Sequence, residues 1–431
     1  MRRRPATAGD ARRLVVLTPI EPAPTGNGLA MRAELFRRSE PAGTEVQVVV
    51  VPVAGRVEGP VGTQAGAATV APDAVRARAG ALALAGDAAW RDRLVRVGSL
   101  PPLARAASPG LADAVIETIT GSGPVAVHVV RAYMAPLGVA VAERLDAVWA
   151  TLDLDDDDSG FARAAGDPDS AAAYDRLLDV FGPLFDGLSA SSAGEAAAIG
   201  ERHGLTVEHI PNAVSVAADS PSAGRPTRSG GDEVPSLLFV GNLTYAPNLE
   251  AADLLVRVIA PAVRRRLGRW VRVTLAGPHD GRLDQLRGDD VEVTGFVADL
   301  GPLYAAADAV VVPLQSGAGT RIKLLEAFAH GVPAVASPLA AAGLAVVDRR
   351  HLLFADGCDQ AAAAIESVLT DPELAARLVG EAAALVRERY SVDVVVPAIR
   401  DFFGRAAGRA GGDGHRSGIP ARDPRPRLHP A

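Results

Sequence analysis

The stretch SGAGTRIKLLEAFAHG, residues 316–331, decides the fold of this chain. A short apolar run at residues 309–313 precedes it and predicts a buried strand, and an amphipathic pattern over residues 321–330 predicts a helix. Gly317 and Gly319 lie in the loop between them. Such a loop presents free backbone N–H groups and the positive end of the helix dipole. The stretch therefore predicts a parallel α/β sheet with an anion-binding loop at its edge.

Two cations stand at the start of that helix. Thr320 is the predicted N-cap, and Arg321 and Lys323 follow it. Cations oppose the helix dipole at this end, so they indicate an anionic ligand rather than helix stability. Glu326 and His330 share a stripe with Lys323, and we predict that Glu326 accepts a hydrogen bond from a ribose hydroxyl. A solvated helix face with a Lys–Glu pair is the alternative.

Composition singles out the same helix. Among 44 basic residues, Lys323 is the only lysine, and the excess of Ala, Arg, Gly and Pro resembles a coding bias against AT-rich codons. Under such a bias, lysine and asparagine are expected to persist where Arg or Asp will not serve. We therefore expect specific roles for Lys323 and for the four asparagines, Asn27, Asn212, Asn242 and Asn248.

Strand and helix patterns alternate on both sides of one apolar-poor segment. Residues 217–235 are rich in Ser, Gly and Pro and predict a linker. Residues 1–216 and 236–391 each alternate strand with helix, which predicts two Rossmann-like α/β domains with parallel sheets. We expect residues 392–404 to form a helix that packs back on the first domain. Residues 405–431, rich in Gly, Pro and Arg, predict a disordered basic tail.

Composition and charge exclude several classes of protein. Of the 431 residues, 48% are hydrophobic and 22% charged, which excludes a disordered or fibrous chain. The single cysteine, Cys358, excludes a disulfide framework and a cysteine metal cluster. The net charge of −7, with positive charge concentrated at both termini, leaves an acidic body and argues against nucleic acid as a partner. With no signal-peptide pattern, we expect a cytoplasmic protein, and the basic termini leave open peripheral contact with the inner face of the membrane.

Two further loops at strand ends are candidate binding positions. Gly26, Asn27 and Gly28 follow the first apolar run, and Gly241 and Asn242 follow the first apolar run of the second half. Glycine lets a backbone approach a ligand closely. The first loop lacks the third glycine of the GxGxxG dinucleotide fingerprint, so plain turn chemistry is the alternative at both loops.

Two polar groups end strands of the first half. His128 lies near the carboxyl end of the strand at residues 125–130, the edge at which open α/β sheets bind ligands; a structural histidine is the alternative. The run DLDDDDS at residues 153–159 also ends a strand. As a DxD motif it would bind the metal of a metal-dependent transferase, whereas as a solvated acidic turn it would cap the next helix. Its spacing does not fit an EF-hand.

Seen together, these motifs resemble the nucleotide-binding domain of family 4 glycosyltransferases (glycosyl transferases group 1), which have the GT-B fold. The resemblance covers about 110 residues of the second half, where the GTRxKxxEAxAxG run is fairly specific, and is strongest toward the exopolysaccharide-associated subgroup. The first half matches loosely, at the Gly26 loop ending in Arg32, the His128 strand, the acidic turn and Ile210-Pro-Asn212. The resemblance implies two Rossmann-like domains facing each other across a cleft, with a nucleotide-sugar donor, no further cofactor and no metal. It also implies transfer with retention of configuration to a glycan, lipid-linked or small-molecule acceptor.

The resemblance also implies roles for single residues. Glu326 matches the second glutamate of the family's E-x7-E motif, which contacts the donor ribose. Arg321 and Lys323 lie near the diphosphate, where they would stabilise the leaving group with the helix N-terminus. His128 is the candidate for orienting the sugar.

The chain departs from the family pattern at two places. Ala318 stands where the first glutamate of the motif is expected, and Asn242 and Tyr245 stand in the region of the usual Arg and Lys. These departures leave open a catalytically silent paralogue that serves as a binding or scaffold subunit of a polysaccharide assembly system. A sugar-nucleotide epimerase of the same fold is a further alternative.

Overall fold

The computed structural model describes residues 11–53, 67–71, 73–216, 234–317 and 322–411. Within these ranges the chain forms two parallel sheets, one on each side of the gap at residues 217–233. No helix in the described ranges is both long enough and apolar enough to cross a membrane.

The first sheet has the strand order β3-β2-β1-β4-β5-β6-β7, and all neighbours pair in parallel. Its central strands β1 and β4 are buried along their whole lengths, as strands covered by helices on both faces must be. The strands are β1 Arg13–Thr18, β2 Glu45–Val50, β3 Ala67–Thr69, β4 Val125–Val130, β5 Ala150–Asp153, β6 Gly187–Ala190 and β7 Val207–His209.

Nine α-helices of the described chain belong to this first half. Several begin at an aspartate, serine or asparagine whose side chain accepts a hydrogen bond from the first turn. They are α1 Gly28–Arg37, α2 Ala74–Gly86, α3 Ala88–Val97, α4 Pro102–Ala106, α5 Ala112–Glu117, α6 Ala135–Arg144, α7 Asp158–Ala164, α8 Pro168–Phe181 and α9 Ala193–His203.

The second sheet has the order β10-β9-β8-β11-β12-β13, again with parallel neighbours. The strands are β8 Ser236–Val240, β9 Arg272–Ala276, β10 Val291–Gly295, β11 Ala309–Val312, β12 Ala334–Ala336 and β13 Leu353–Phe354. The helices of this half are α10 Ala246–Leu254, α11 Ala260–Leu267, α12 Gly301–Ala306, α13 Ile322–Ala329, α14 Cys358–Thr370 and α15 Pro372–Leu385.

Each sheet reverses its strand order at one place, which is where open α/β sheets bind ligands. In the first sheet the reversal lies between β1 and β4, and in the second it lies between β8 and β11. In open α/β sheets the loops that follow the two strands of a switch point diverge and leave a crevice at the carboxyl edge. The Gly26 loop follows β1, the Gly241 loop follows β8, and the quoted glycine-rich stretch follows β11.

The two carboxyl edges face each other across a cleft. A Cβ added at Gly28, at the start of α1, would lie 3.3 Å from Ile322 Cδ1, at the start of α13. A Cβ at Gly26 would lie 3.8 Å from the ring of Phe296, which follows β10. The two carboxyl edges are therefore in contact at one side, which matches the expected arrangement of two Rossmann-like domains.

The last helix, α16 (Val392–Gly411), returns to the first domain. Its Phe403 and Ala407 are buried in the apolar cluster under β1 and β4. The sequence predicts that this helix ends at residue 404 and that a disordered tail follows, but the helix continues to Gly411. It continues because Ala407 extends the buried face and Arg405 pairs with Glu208 at 2.5 Å.

Candidate functional site

A lysine lies at the switch point of the second sheet. The Lys323 Nζ donates a hydrogen bond to Asn248 Oδ1 at 2.8 Å and lies 4.4 Å from the centre of the Phe239 ring. A Cβ at Gly241 would lie only 2.9 Å from this Nζ, so a glycine is needed for the ammonium to sit against the backbone. The structure thus brings together three predicted features: Lys323, the Gly241 loop and the start of α13.

The loop after β8 is held in shape by its asparagines. Asn242 Oδ1 accepts hydrogen bonds from the Thr244 N–H at 3.0 Å and from Thr244 Oγ1 at 2.8 Å. The Asn242 carbonyl accepts from Asn248 Nδ2 at 2.8 Å, which orients Asn248 Oδ1 toward Lys323. Turn chemistry therefore accounts for the Asn242 side chain, and a direct contact with ligand stays a prediction.

Gly277 contributes to this site and is absent from the predicted set. Its φ is +140°, and a Cβ there would overlap the carbonyl oxygen of Gly241. The loops after β8 and β9 can pack together only because residue 277 has no side chain. A glycine directly after the apolar run of β9 was the available signal.

Glu326 lies one turn along α13 from Lys323. Its Oε2 accepts a hydrogen bond from Tyr304 Oη at 3.0 Å, and the Tyr304 ring stacks on His330 with centroids 4.7 Å apart. Burial raises the pKa of Glu326 to about 7, although the hydrogen bond from Tyr304 and the charge of Lys323 both act to lower it. Its carboxyl group therefore titrates near neutral pH. Tyr304 is missing from the predicted set because nothing in the pattern of α12 distinguishes it from a core aromatic residue.

Part of the glycine-rich loop lies outside the described residues. This applies to residues 318–321, so the N-cap at Thr320, the glycine at Gly319 and the second cation, Arg321, stay predictions. Gly317, immediately before this segment, has a φ of +104°, a conformation that glycine adopts without strain.

The corresponding loop of the first domain begins α1. Asn27 Oδ1 caps this helix by accepting from the N–H groups of Leu29 at 2.9 Å and Ala30 at 3.3 Å. Gly26 has a φ of +93°, and Gly28 lies against the second domain. Turn and capping chemistry therefore explain Asn27, while the two glycines place the loop at the cleft.

His128 is fully buried rather than exposed at the cleft. Its ring stacks on Phe36 with centroids 4.0 Å apart, and its Nδ1 lies 2.9 Å from Thr151 Oγ1. Burial lowers the pKa of His128 to about 3, so the ring is neutral. This geometry favours the structural alternative, and a role in orienting the sugar stays a prediction.

The acidic turn after β5 starts with a buried ion pair. Both side chains are inaccessible, and Arg32 Nε and Nη2 each donate to an Asp153 carboxylate oxygen at 2.6 Å. Arg32 Nη1 donates to the Ile210 carbonyl at 2.9 Å and to Asn212 Oδ1 at 3.1 Å. The interpretation of a solvated turn is therefore wrong at Asp153, whose carboxylate ties α1 to the end of the first sheet.

The rest of the acidic turn surrounds a second arginine. Arg131 donates to Asp155 at 3.2 Å, to Asp156 at 2.9 Å and to Asp158, while Asp157 caps α7. Burial raises the pKa of Asp155 to about 8. Among the residues that the structure describes, no group of three His, Cys, Asp or Glu side chains is placed to hold a metal ion. In this structure the acidic side chains contact arginines.

Together, the described groups at the second switch point suit a ligand with both anionic and hydroxyl groups. Lys323 supplies a fixed positive charge, and Glu326 supplies a hydrogen-bonding carboxyl group beside it. Gly241 and Gly277 let the loops after β8 and β9 pack closely beside the lysine. Two parallel-sheet Rossmann-like domains with their carboxyl edges across a cleft define the GT-B class of fold.

Comparison with known proteins gives the family of the second domain. Residues 234–371 match the family described as Glycosyl transferases group 1, and they form a domain of that kind. Over 161 residues the chain is 30% identical to an exopolysaccharide phosphotransferase of Streptomyces coelicolor. That match covers 35% of this chain and 17% of the relative, so the chain spans less than a fifth of that protein.

Solved structures share the fold across both domains. HepE of Anabaena in complex with UDP-glucose is 15% identical with a TM-score of 0.62, and the match covers 90% of this chain and 98% of the HepE chain. A sucrose-phosphate synthase of Thermosynechococcus elongatus is 17% identical with a TM-score of 0.60, and the match covers 90% of this chain and 98% of the synthase. A trehalose 6-phosphate synthase of Burkholderia multivorans is 15% identical with a TM-score of 0.60, and the match covers 91% of this chain and 96% of that synthase. At these identities the likeness establishes the GT-B fold.

Proposed function

We propose that this chain is a glycosyltransferase that moves a sugar from a nucleotide-sugar donor to a glycan, lipid-linked or small-molecule acceptor. The observation that carries the proposal is the position of Lys323, held between Asn248 and Gly241 at the switch point of the second sheet. The glycosyl transferases group 1 domain at residues 234–371 supports it. So does the shared fold of HepE, a protein whose complex contains UDP-glucose.

The mechanism follows from the charge on the leaving group. As the glycosidic bond breaks, negative charge develops on the nucleoside diphosphate, and preorganised positive charge lowers the energy of that transition state. Lys323 supplies such a charge, and Arg321 and the start of α13 are proposed to add to it. Glu326 is proposed to bind the donor ribose.

The finer features of the proposal come from the family resemblance. We propose that transfer needs no metal ion, retains the anomeric configuration and takes place in the cytoplasm. We also propose membership of the exopolysaccharide-associated subgroup, which the partial likeness to the Streptomyces phosphotransferase supports. We also propose that the first domain, whose Gly26 loop lies at the cleft, binds the acceptor.

The test is the turnover of Lys323→Ala and Lys323→Met, assayed as nucleotide released from a panel of nucleotide-sugars with candidate acceptors. Loss of a preorganised charge typically costs on the order of 10²–10³ in rate, and we expect both variants to show that loss while their thermal unfolding stays close to wild type. The methionine variant keeps the length of the side chain and so separates charge from packing. Unchanged turnover would contradict the role of Lys323. Nucleotide binding without any turnover in the wild-type chain would support the scaffold alternative.

A further inference from the structure

Tyr304 reaches the candidate nucleotide site from a separate helix. It lies on α12, is fully buried, and donates its hydroxyl to Glu326 Oε2 at 3.0 Å. In the described residues no other hydrogen bond to the Glu326 carboxyl group is present. Among the contacts of the described residues, the two oxygens of Glu326 therefore differ, because one accepts a hydrogen bond from Tyr304 and the other accepts none.

The orientation of the Tyr304 ring is fixed on its other side by His330. The two rings are stacked with an interplanar angle of 6° and a centroid separation of 4.7 Å. His330 directly follows α13, one turn beyond Glu326, so this helix and the residue after its end hold both the acceptor of the hydroxyl and the partner of the ring. This contact restricts where the hydroxyl can lie.

We propose that Tyr304 is a positioning residue of the nucleotide site: its hydroxyl holds Oε2 of Glu326 so that Oε1 remains available to a ribose hydroxyl of the donor. The inference rests on the proposed function. It names a ribonucleoside diphosphate as the ligand class, since the arrangement serves a carboxylate that accepts a hydrogen bond from a sugar hydroxyl. Without the hydroxyl of Tyr304, the Glu326 carboxylate could rotate, and its hydrogen bond to the ribose hydroxyl would be weaker.

The charges around Glu326 give this role a pH signature. Burial raises the pKa of Glu326, and Tyr304 and Lys323 lower it. His330 faces Tyr304 rather than the carboxyl group, and its pKa is lowered by burial and raised by Asp299. Tyr304 itself has a pKa raised by burial, so it stays a hydrogen-bond donor at neutral pH. Removal of the Tyr304 hydroxyl should therefore raise the pKa of Glu326 further.

The experiment is calorimetric titration of the full chain with UDP, GDP and ADP from pH 6 to pH 9, for wild type and Tyr304→Phe. Tyr304→Phe loses both the fixed orientation of the Glu326 carboxylate and the hydrogen bond that lowers its pKa. A lost hydrogen bond of ordinary strength shifts a pKa by about one unit. We therefore expect the variant to bind more weakly than wild type at every pH, with a loss about fivefold larger at pH 7 than at pH 9. The matched control is Tyr390→Phe, which removes a buried hydroxyl bonded to the Ala345 N–H in the same domain. We expect this control to follow the wild-type pH profile.

The outcomes separate the inference from the function on which it rests. A purely structural role would lower the melting temperature of Tyr304→Phe and leave the pH midpoint of binding unchanged, which would overturn the inference. Binding equal to that of wild type at every pH would overturn it as well. If the wild-type chain binds none of the three nucleotides at any pH, the proposed function itself fails.

Discussion

Lys323 shows how far single residues could be predicted. The scarcity of lysine and asparagine marked five positions, and the structure gives each a specific contact: Asn27 caps α1, Asn212 accepts from Arg32, and Asn242 and Asn248 shape the loop that holds Lys323. The contacts of Asn27 and Asn242 are local. The partners of Asn212, Asn248 and Lys323 could not be predicted, because those contacts join elements that are distant in sequence. Tyr304 escaped prediction for the same reason, since its partner is 22 residues away on another helix.

The raised pKa of Glu326 predicts that this residue destabilises the folded chain at high pH. A carboxyl group whose pKa is higher in the folded chain keeps a proton that the unfolded chain releases, so its effect on stability becomes unfavourable as pH rises from about 4.5 to about 7. We expect Glu326→Gln to stabilise the fold at pH 8, by at most about 3 kcal/mol, and to change little at pH 4. Thermal unfolding at the two pH values measures this difference. The exposed Glu117→Gln is the control; a Glu326 variant that is less stable than wild type at pH 8 would contradict the prediction.

At the scale of elements, the positions of strands and loops were largely predictable, whereas the side-chain contacts that join these elements to one another were not. Apolar runs followed by a loop that contains glycine predicted the loops after β1, β8 and β11, and the reversal of strand order places these loops at the switch points. The acidic turn after β5 was misjudged at Asp153, because a single sequence does not show that Arg32, far away in α1, is buried against it. Strand β3 and helices α2 to α5 are absent from the predicted elements, and α2 has only a weak apolar period.

At this scale we predict that the buried Arg32–Asp153 ion pair is needed for the stability of the chain. Removal of one partner of a buried pair leaves an uncompensated charge, which typically costs about 3–5 kcal/mol. We expect Arg32→Met to destabilise the chain by this amount in urea unfolding, and the double variant Arg32→Met/Asp153→Leu to recover at least half of the loss. A single variant within about 1 kcal/mol of wild type would show that the pair does not tie α1 to the first sheet.

At the scale of the whole molecule, alternating strands and helices around an apolar-poor segment were sufficient to predict two parallel α/β domains. The length of α16 was underestimated, because its last turns bury only alanines, which carry a weak hydrophobic signal. The fold places both sets of switch-point loops on one cleft, with Gly28 against Ile322. A ligand bound at Lys323 would therefore lie beside the first domain, as transfer between a donor and an acceptor requires.

The central claim is that this cleft binds a nucleoside diphosphate at the Lys323–Glu326 site. Thermal unfolding of the full chain with UDP, GDP, ADP and dTDP, with and without EDTA, tests it most directly. A ligand at about 100 times its dissociation constant stabilises the bound fold by roughly 2.7 kcal/mol. We predict a shift in melting temperature with one of these nucleotides that persists in EDTA and is lost in Glu326→Ala. No shift with any of the four would contradict the claim.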